Sequence, residues 1–275
     1  MNATFPFLML PRWAVMWSLA LGIYSICKAL SWESRTTGPV VGWKRAVYFF
    51  AWPGMDPDAF VGTPKPFIFR PAPSEWLAAL AKVLVGVALL AFAVRPEPYR
   101  QSAIVDWVGM TGLVLALHFG LFHLLSCVWR ALGLNAVPIM NRPLAARSLA
   151  EFWGRRWNLA FRDLTHRFVF QPLLRRVGPA SALMIGFGIS GLVHDLVITM
   201  PAGGAYGLPT LYFLLQGAGV LVERSRSGRL LGLGRGLAGR IYCVAVVVAP
   251  YGLLFPPVFV KNVIGPFLDA IGGMR

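Results

Sequence analysis

Apolar runs of helical length recur along the chain, separated by short segments rich in proline, glycine and arginine. The clearest cover residues 13–30, 76–94, 102–129, 179–200, 207–222 and 241–260. Each approaches the roughly 20 residues that carry a helix across a bilayer. Residues 43–52 form a shorter aromatic run ending in Trp52-Pro-Gly-Met-Asp-Pro57. It is too short to cross alone and reads as interfacial, re-entrant, or part of a tilted span starting near Pro39. Six prolines between Pro53 and Pro73 argue against regular helix there. Ser74-Glu-Trp76 is expected to cap the span that follows, and Arg95-Pro-Glu-Pro98 to break it. Run 13–30 is not followed by an A-x-A-like site, so it is read as a retained first span rather than a signal sequence. Nothing alternates as a barrel strand does. The pattern predicts an all-α, polytopic transmembrane protein with about six or seven spans. No internal repeat is visible, and residues 1–275 read as one membrane domain.

Composition agrees. Only 13% of residues are charged, against roughly 25% in a soluble domain, and mean hydropathy is +0.63. Net charge is +15, and 21 of the 26 basic residues are arginine. Nine arginines lie in 130–176 against Glu151 and Asp163, and five more lie in 223–240. Residues 201–207 carry no charge. The two basic segments are therefore expected on the cytoplasmic side and the turn between them on the other. In a soluble protein this basicity would point to nucleic acid. Here spans and anionic membrane lipids account for it, and no nucleic-acid partner is expected. The arginine richness fits a GC-rich bacterial genome, and hence the inner membrane. Cys27, Cys127 and Cys243 have no disulfide or zinc spacing and read as packing residues.

Two stretches carry candidate chemistry. Ser148 with Glu151 forms a capping box, opening a helix expected to run to about Arg176. At 100° per residue Leu149, Trp153, Trp157, Ala160, Phe161, Leu164 and Phe168 fall on one stripe. Glu151, Arg155, Asn158, Arg162 and His166 fall opposite. Glu151 with Arg155, and Asp163 with Arg167, are i,i+4 ion pairs of favourable order. Such a helix suits the membrane interface, either as an anchor or as a mouth whose guanidinium groups attract phosphate. Asn158 stands apart, since a neutral amide adds nothing to membrane attraction.

The second stretch holds His194, roughly 20 Å along its span at 1.5 Å per residue. An imidazole at that depth faces a cavity or a partner. Gly186, Ser190 and His194 stack at i, i+4 and i+8, leaving a groove that suits an acyl chain or a neighbouring helix. Histidine titrates in the range needed to take a proton from an alcohol. Asp195 points about 100° away and is not an obvious orienter; Gln216, in the next span, is the better hydrogen-bonding candidate. His118 and His123 lie about 140° apart on a helix, poor geometry for a shared metal, and read as core hydrogen-bonding residues. His166 reads as a solvated surface residue. No Gly-rich phosphate loop and no G-x-S-x-G elbow is present, against a soluble-type hydrolase.

With these residues in view, the chain resembles the membrane-bound O-acyltransferase superfamily, in particular its wax synthase-like branch. The matching blocks are Pro143-Leu-Ala-Ala-Arg-Ser-Leu-Ala-Glu-Phe-Trp-Gly-Arg-Arg-Trp-Asn158, Phe187-Gly-Ile-Ser-Gly-Leu-Val-His-Asp195, and Phe213-Leu-Leu-Gln-Gly217 on to Glu223. Trp52-Pro-Gly-Met-Asp56 resembles a more N-terminal block. The core resemblance covers 137–223. It implies a tunnelled helical fold and acyl transfer from acyl-CoA to the hydroxyl of a lipid alcohol. His194 would be the base and Asn158 its catalytic partner, with no metal and no cofactor beyond acyl-CoA as co-substrate. Arg155, Arg156 and Arg162 would meet CoA phosphates, with Trp157, Ser190 and Gln216 as further substrate contacts. Members generally have more spans, and many carry glutamate where Asp195 stands. Two other readings fit the residues alone: a non-catalytic lipid-binding scaffold, and a small transporter.

Overall fold

A computed structural model describes residues 10–62, 70–94 and 102–272. The described residues are mostly helical, with no strand among them. Among the described residues, five helices are long and apolar enough to cross a bilayer: Arg12–Glu33 (α1), Pro73–Ala93, Ala103–Ala131, Leu159–Ala202 and Gly236–Leu254. Leu208–Arg224, at 17 residues, is nearly as long. The chain is an integral, polytopic helical membrane protein.

Several local readings change. A five-residue helix, Pro57–Val61 (α3), forms within the proline-rich segment, because Pro57 occupies its first position and Asp56 caps it by accepting from the Ala59 amide at 3.0 Å. Pro73 likewise opens the helix that follows (α4), with Ala72 rather than Ser74 as its cap. The Arg95–Pro98 break lies outside the described residues. The last long helix starts at Gly236 and stops at Leu254, ahead of Pro256 and Pro257, instead of running on to 260. Residues 257–272 then turn back into the core with Phe259, Val263 and Leu268 buried.

The aromatic run becomes Gly42–Phe50 (α2), packed over a cluster of Trp32, Tyr48, Trp52 and Phe60. Lys28 of α1 is buried beneath it, its Nζ donating to the Gly54 carbonyl at 2.5 Å and lying 3.4 Å from the Tyr48 ring centroid. The Trp52–Asp56 block is thereby a packed corner. Burial pushes the Asp58 carboxyl up, but the Thr37 and Thr36 amides it accepts from, both at 2.8 Å, outweigh this and hold it below its ordinary range.

The 44-residue helix Leu159–Ala202 is two helices. Gly178 has φ 78° and ψ 168°, a left-handed φ that glycine adopts without a Cβ clash. A Cβ on Gly186 would stand 3.2 Å from Thr165 Cγ2, whereas 21 residues of unbroken helix would separate them by about 30 Å. The chain therefore folds back at Gly178, into a limb at 159–177 (α5) and a limb at 179–202 (α6). Leu208–Arg224 (α7) packs closely on the second limb: a Cβ on Gly191 would stand 2.5 Å from Thr210 Cα. Asp195 secures this turn, accepting from the Gly207 and Thr210 amides at 2.8 and 3.0 Å and from Thr199 Oγ1 at 2.8 Å. It serves α7 and not His194.

Candidate functional site

The Ser148 segment is not one helix. It runs through Leu149–Glu151 into a wider π turn, Phe152–Arg156, and then breaks. Trp157 is extended, and Asn158 sits in the left-handed region at φ 38°, ψ 63°. Asparagine tolerates that region better than most residues. Its Oδ1 accepts from the Phe161 amide at 3.3 Å, capping Leu159–Thr165. Residues 139–141 brace the bend: Leu159 N donates to Ile139 O at 3.0 Å, and Asn141 N to Arg156 O at 2.8 Å. The single stripe predicted over 148–176 is interrupted here.

The π turn also changes the ion pairs. With more than four residues per turn, Glu151 meets Arg156 at 2.6 Å instead of Arg155. Ser148 Oγ accepts from the Glu151 amide at 3.0 Å, one half of the predicted capping box, while Glu151 Oε2 reaches back one residue further and accepts from the Arg147 amide at 2.8 Å. That amide, with Arg156, holds the Glu151 carboxyl below its ordinary range. Asp163 pairs with Arg162 at 3.0 Å, and Arg167 reaches Asp58 at 3.8 Å, so the predicted Asp163–Arg167 pair is absent.

The fold-back at Gly178 and the bend at Asn158 enclose one cavity of about 360 Å³ between the Ser148 segment, both limbs and α7. Asn158 and His194 both line it. The predicted groove is there too: Gly186, Ser190 and His194 face the space in register. Ser190 Oγ donates to Gly186 O at 2.9 Å, and His194 Nδ1 contacts Ser190 O at 2.7 Å. A carbonyl oxygen only accepts, so Nδ1 carries the hydrogen and Nε2 of the neutral ring keeps its lone pair. Phe213 holds the other side of the imidazole, ring centroids 4.5 Å apart.

Trp157, Ser190 and Arg162 line the cavity, as expected of substrate contacts, whereas Arg155, Arg156 and Gln216 do not. Arg155 is exposed away from it. Arg156 is held by Glu151 and by the carbonyls of Asn141 and Arg142, at 3.4 and 3.3 Å. Gln216 is fully buried, drawn between Trp153 Nε1 at 3.3 Å and Val246 O at 2.8 Å, and is not a partner of His194. Sequence reasoning missed Trp153, Phe213, His166 and Arg224 as lining residues. Arg162, His166 and Arg224 are the exposed cationic or titratable ones. His166 was readable as exposed, but its place beside the cavity follows only from the fold-back.

Away from the cavity, His123 is hydrogen-bonded as expected, to Lys82 Nζ at 2.8 Å and Glu75 Oε1 at 3.0 Å. His118 differs: its buried Nδ1 has no hydrogen-bond partner among the described residues, and its ring packs edge-on against Phe122. Glu75, His123 and Cys127 bring ligand-type atoms within 4.8 Å of one another. Arg130 and Lys82 already place two positive charges on this group, which opposes a further cation.

Residues 136–215 match the family described as membrane bound O-acyl transferase. Over 144 residues the chain is 32% identical to a long-chain-alcohol O-fatty-acyltransferase of Simmondsia chinensis, covering 48% of this chain and 40% of that protein. It is 29% identical over 206 residues to an Arabidopsis thaliana protein named "Probable long-chain-alcohol O-fatty-acyltransferase 3", covering 69% and 58%. It is 33% identical over 113 residues to an acyl-CoA–sterol O-acyltransferase of Arabidopsis thaliana, covering 37% and 33%. The chain thus spans about half the length of these first two curated relatives.

Proposed function

We propose that the chain, whose residues 136–215 match the membrane bound O-acyl transferase family and whose relatives include long-chain-alcohol O-fatty-acyltransferases, moves a long-chain acyl group from acyl-CoA to the hydroxyl of a lipid alcohol. One observation carries the reading: His194, its Nδ1 committed to Ser190 O so that Nε2 keeps its lone pair, lines the same cavity as Asn158. Nε2 takes the proton of the alcohol as the alcohol oxygen bonds to the thioester carbonyl carbon. The C–S bond then breaks, and the departing CoA thiolate recovers the proton from Nε2. The products are an ester and CoA thiol. Asn158 Oδ1 is used by Phe161 N, so its Nδ2 is the end free to donate to the oxyanion. No metal or further cofactor enters these steps.

The apolar groove along Gly186 and Ser190 takes the chain of a hydrophobic substrate. Arg162 with Arg224 supplies guanidinium groups for CoA phosphate. A fatty alcohol is favoured as acceptor by the wax synthase-like relatives, and a sterol is the second choice. Residues 130–176 and 223–240 would face the cytoplasm by their arginine content. A bacterial inner membrane has only that arginine richness in its favour, the matched relatives above being plant proteins. The test is ester formation by purified protein from labelled acyl-CoA and a panel of fatty alcohols and sterols. Wild-type turnover lost in His194→Ala supports the reading. An equal background from both proteins across all acceptors rejects it and leaves the lipid-binding scaffold.

A further inference from the structure

Two buried polar side chains of α7 take no part in the steps above. Gln216 is 0% exposed and Glu223 5%. They lie seven residues apart, two helical turns, and so share one face. Glu223 Oε2 accepts from the Leu149 amide at 2.5 Å and Oε1 from the Ala150 amide at 3.3 Å. With Ser148 Oγ on the Glu151 amide, the first three amides of the Ser148 segment are all satisfied. A carboxylate is favoured there by the positive end of the turn. Between the two residues Gly219 admits close contact, since a Cβ would stand 2.8 Å from Leu149 Cδ2.

Gln216 acts one turn further along the same segment. Its Oε1 accepts from Trp153 Nε1, and its Nε2 donates to Val246 O. Glu223 therefore fixes where the segment starts, and Gln216 fixes how the Trp153 indole is turned. That indole lines the cavity, with ring centroids 5.7 Å from both Phe187 and Phe213. Phe213 in turn lies against His194. Burying an amide and a carboxylate in a membrane helix is costly, and in exchange they satisfy the Leu149, Ala150 and Trp153 N–H groups, which a leucine would leave without these acceptors. The return is orientation.

We propose that Gln216 and Glu223 are positioning residues of the cavity, setting Trp153 as the wall that holds the substrate chain against His194. This rests on the acyl-transfer reading only for its kinetic readout. The experiment uses the full chain in lipid nanodiscs, comparing wild type, Gln216→Leu, Trp153→Phe and the double variant. Two quantities are read: quenching of tryptophan fluorescence by a brominated long-chain alcohol, with Trp153→Phe as the blank, and kcat and KM for ester formation over a series of alcohol chain lengths.

Gln216→Leu is expected to melt cooperatively, to change the Trp153 quenching, and to lower kcat about tenfold with an altered chain-length profile, as a small misplacement does. The double variant should be no worse than the worse single one, because both act through one hydrogen bond. Additive losses, or wild-type quenching and profile in Gln216→Leu, overturn the proposal for Gln216. Glu223→Gln, which keeps one acceptor oxygen, should restore part of the quenching change seen in Glu223→Leu. Wild-type quenching in Glu223→Leu overturns it for Glu223. If wild type makes no ester, the acyl-transfer reading fails, and the quenching comparison still decides the positioning claim.

Discussion

His194 donates its Nδ1 hydrogen to the carbonyl oxygen of Ser190, 2.7 Å away and one turn earlier in the same helix. The bond sets ring orientation and tautomer with a backbone group, so no neighbouring carboxylate is needed to orient the ring. Replacing His194 with alanine should lower ester formation by about two to four orders of magnitude, the usual worth of a positioned acid–base group. Binding of a long-chain alcohol should be nearly unchanged. Parallel turnover and equilibrium-binding measurements check this; loss of both together would mark a packing role.

Asn158 combines a strained backbone with a cap and a proposed chemical role, and substitutions separate these. Glycine accepts φ 38° without a Cβ clash and costs only a few tenths of a kcal/mol as a cap. Asn158→Gly should therefore melt near wild type while losing about 10²-fold in turnover. Asn158→Ala should lose the same activity and roughly 1–2 kcal/mol of stability as well. Thermal melts beside initial rates would show it. An active Asn158→Gly would leave Asn158 only its structural role.

Much of the fold was legible because spans are written in length and hydropathy, and Pro179 correctly marked where the second limb begins. What stayed hidden depends on backbone geometry inside apparently regular stretches. A fixed 100° step assumes an unbroken α-helix; the π turn at Phe152–Arg156 and the left-handed Asn158 both violate it. Hence Glu151 finds Arg156, and Arg155 points away. Gln216 was recognisable as a hydrogen-bonding residue of its span, but the sequence carries no sign of which neighbour it turns to, and it turns to Trp153 and Val246 instead of His194. The convergence of Asn158 and His194 came from resemblance; its physical cause, the fold-back at Gly178, appears only in three dimensions.

The arginines are expected to divide by location. Arg162 lines the cavity and its side chain is 41% exposed, so Arg162→Gln should raise KM for acyl-CoA several-fold to about tenfold, worth about 1.4 kcal/mol or less, with kcat little changed. Arg155→Gln, off the cavity, should leave both constants alone. Steady-state kinetics with acyl-CoA varied at fixed alcohol would reveal the split, and equal effects from the two variants would argue for a diffuse surface charge instead.

Glu151 ties the Ser148 segment to Arg147 and Arg156 as a carboxylate, and its acidity is raised by those contacts. A carboxyl held below its unfolded value contributes stability that is present above that value and lost as pH falls through the folded one. Glu151→Gln should thus cost about 1 kcal/mol at neutral pH. The gap to wild type should close on acidification below the ordinary carboxylate range. Melting curves of both proteins across that range test the sign; a gap that widens in acid would contradict it.

Gly186 gives a handle on the size of the chain the cavity is proposed to accept. It lines the space, and a Cβ there meets only Thr165 Cγ2, at 3.2 Å. Alanine is therefore expected to fit after a shift of a few tenths of an ångström in Thr165, leaving activity close to wild type. Leucine has no room on the Thr165 side and must extend along the groove toward Ser190, taking volume from a cavity of about 360 Å³. Gly186→Leu should then reject long chains while still turning over short ones, so that the ratio of kcat/KM for long over short substrates falls by an order of magnitude or more, given about 0.8 kcal/mol per methylene that no longer enters. Running the series separately on acyl-CoA and on alcohol identifies which chain lies beside Gly186: only the one that occupies this groove should show the shift. A uniform loss across all lengths of both would mean that Gly186 serves the approach of the two limbs and not the substrate.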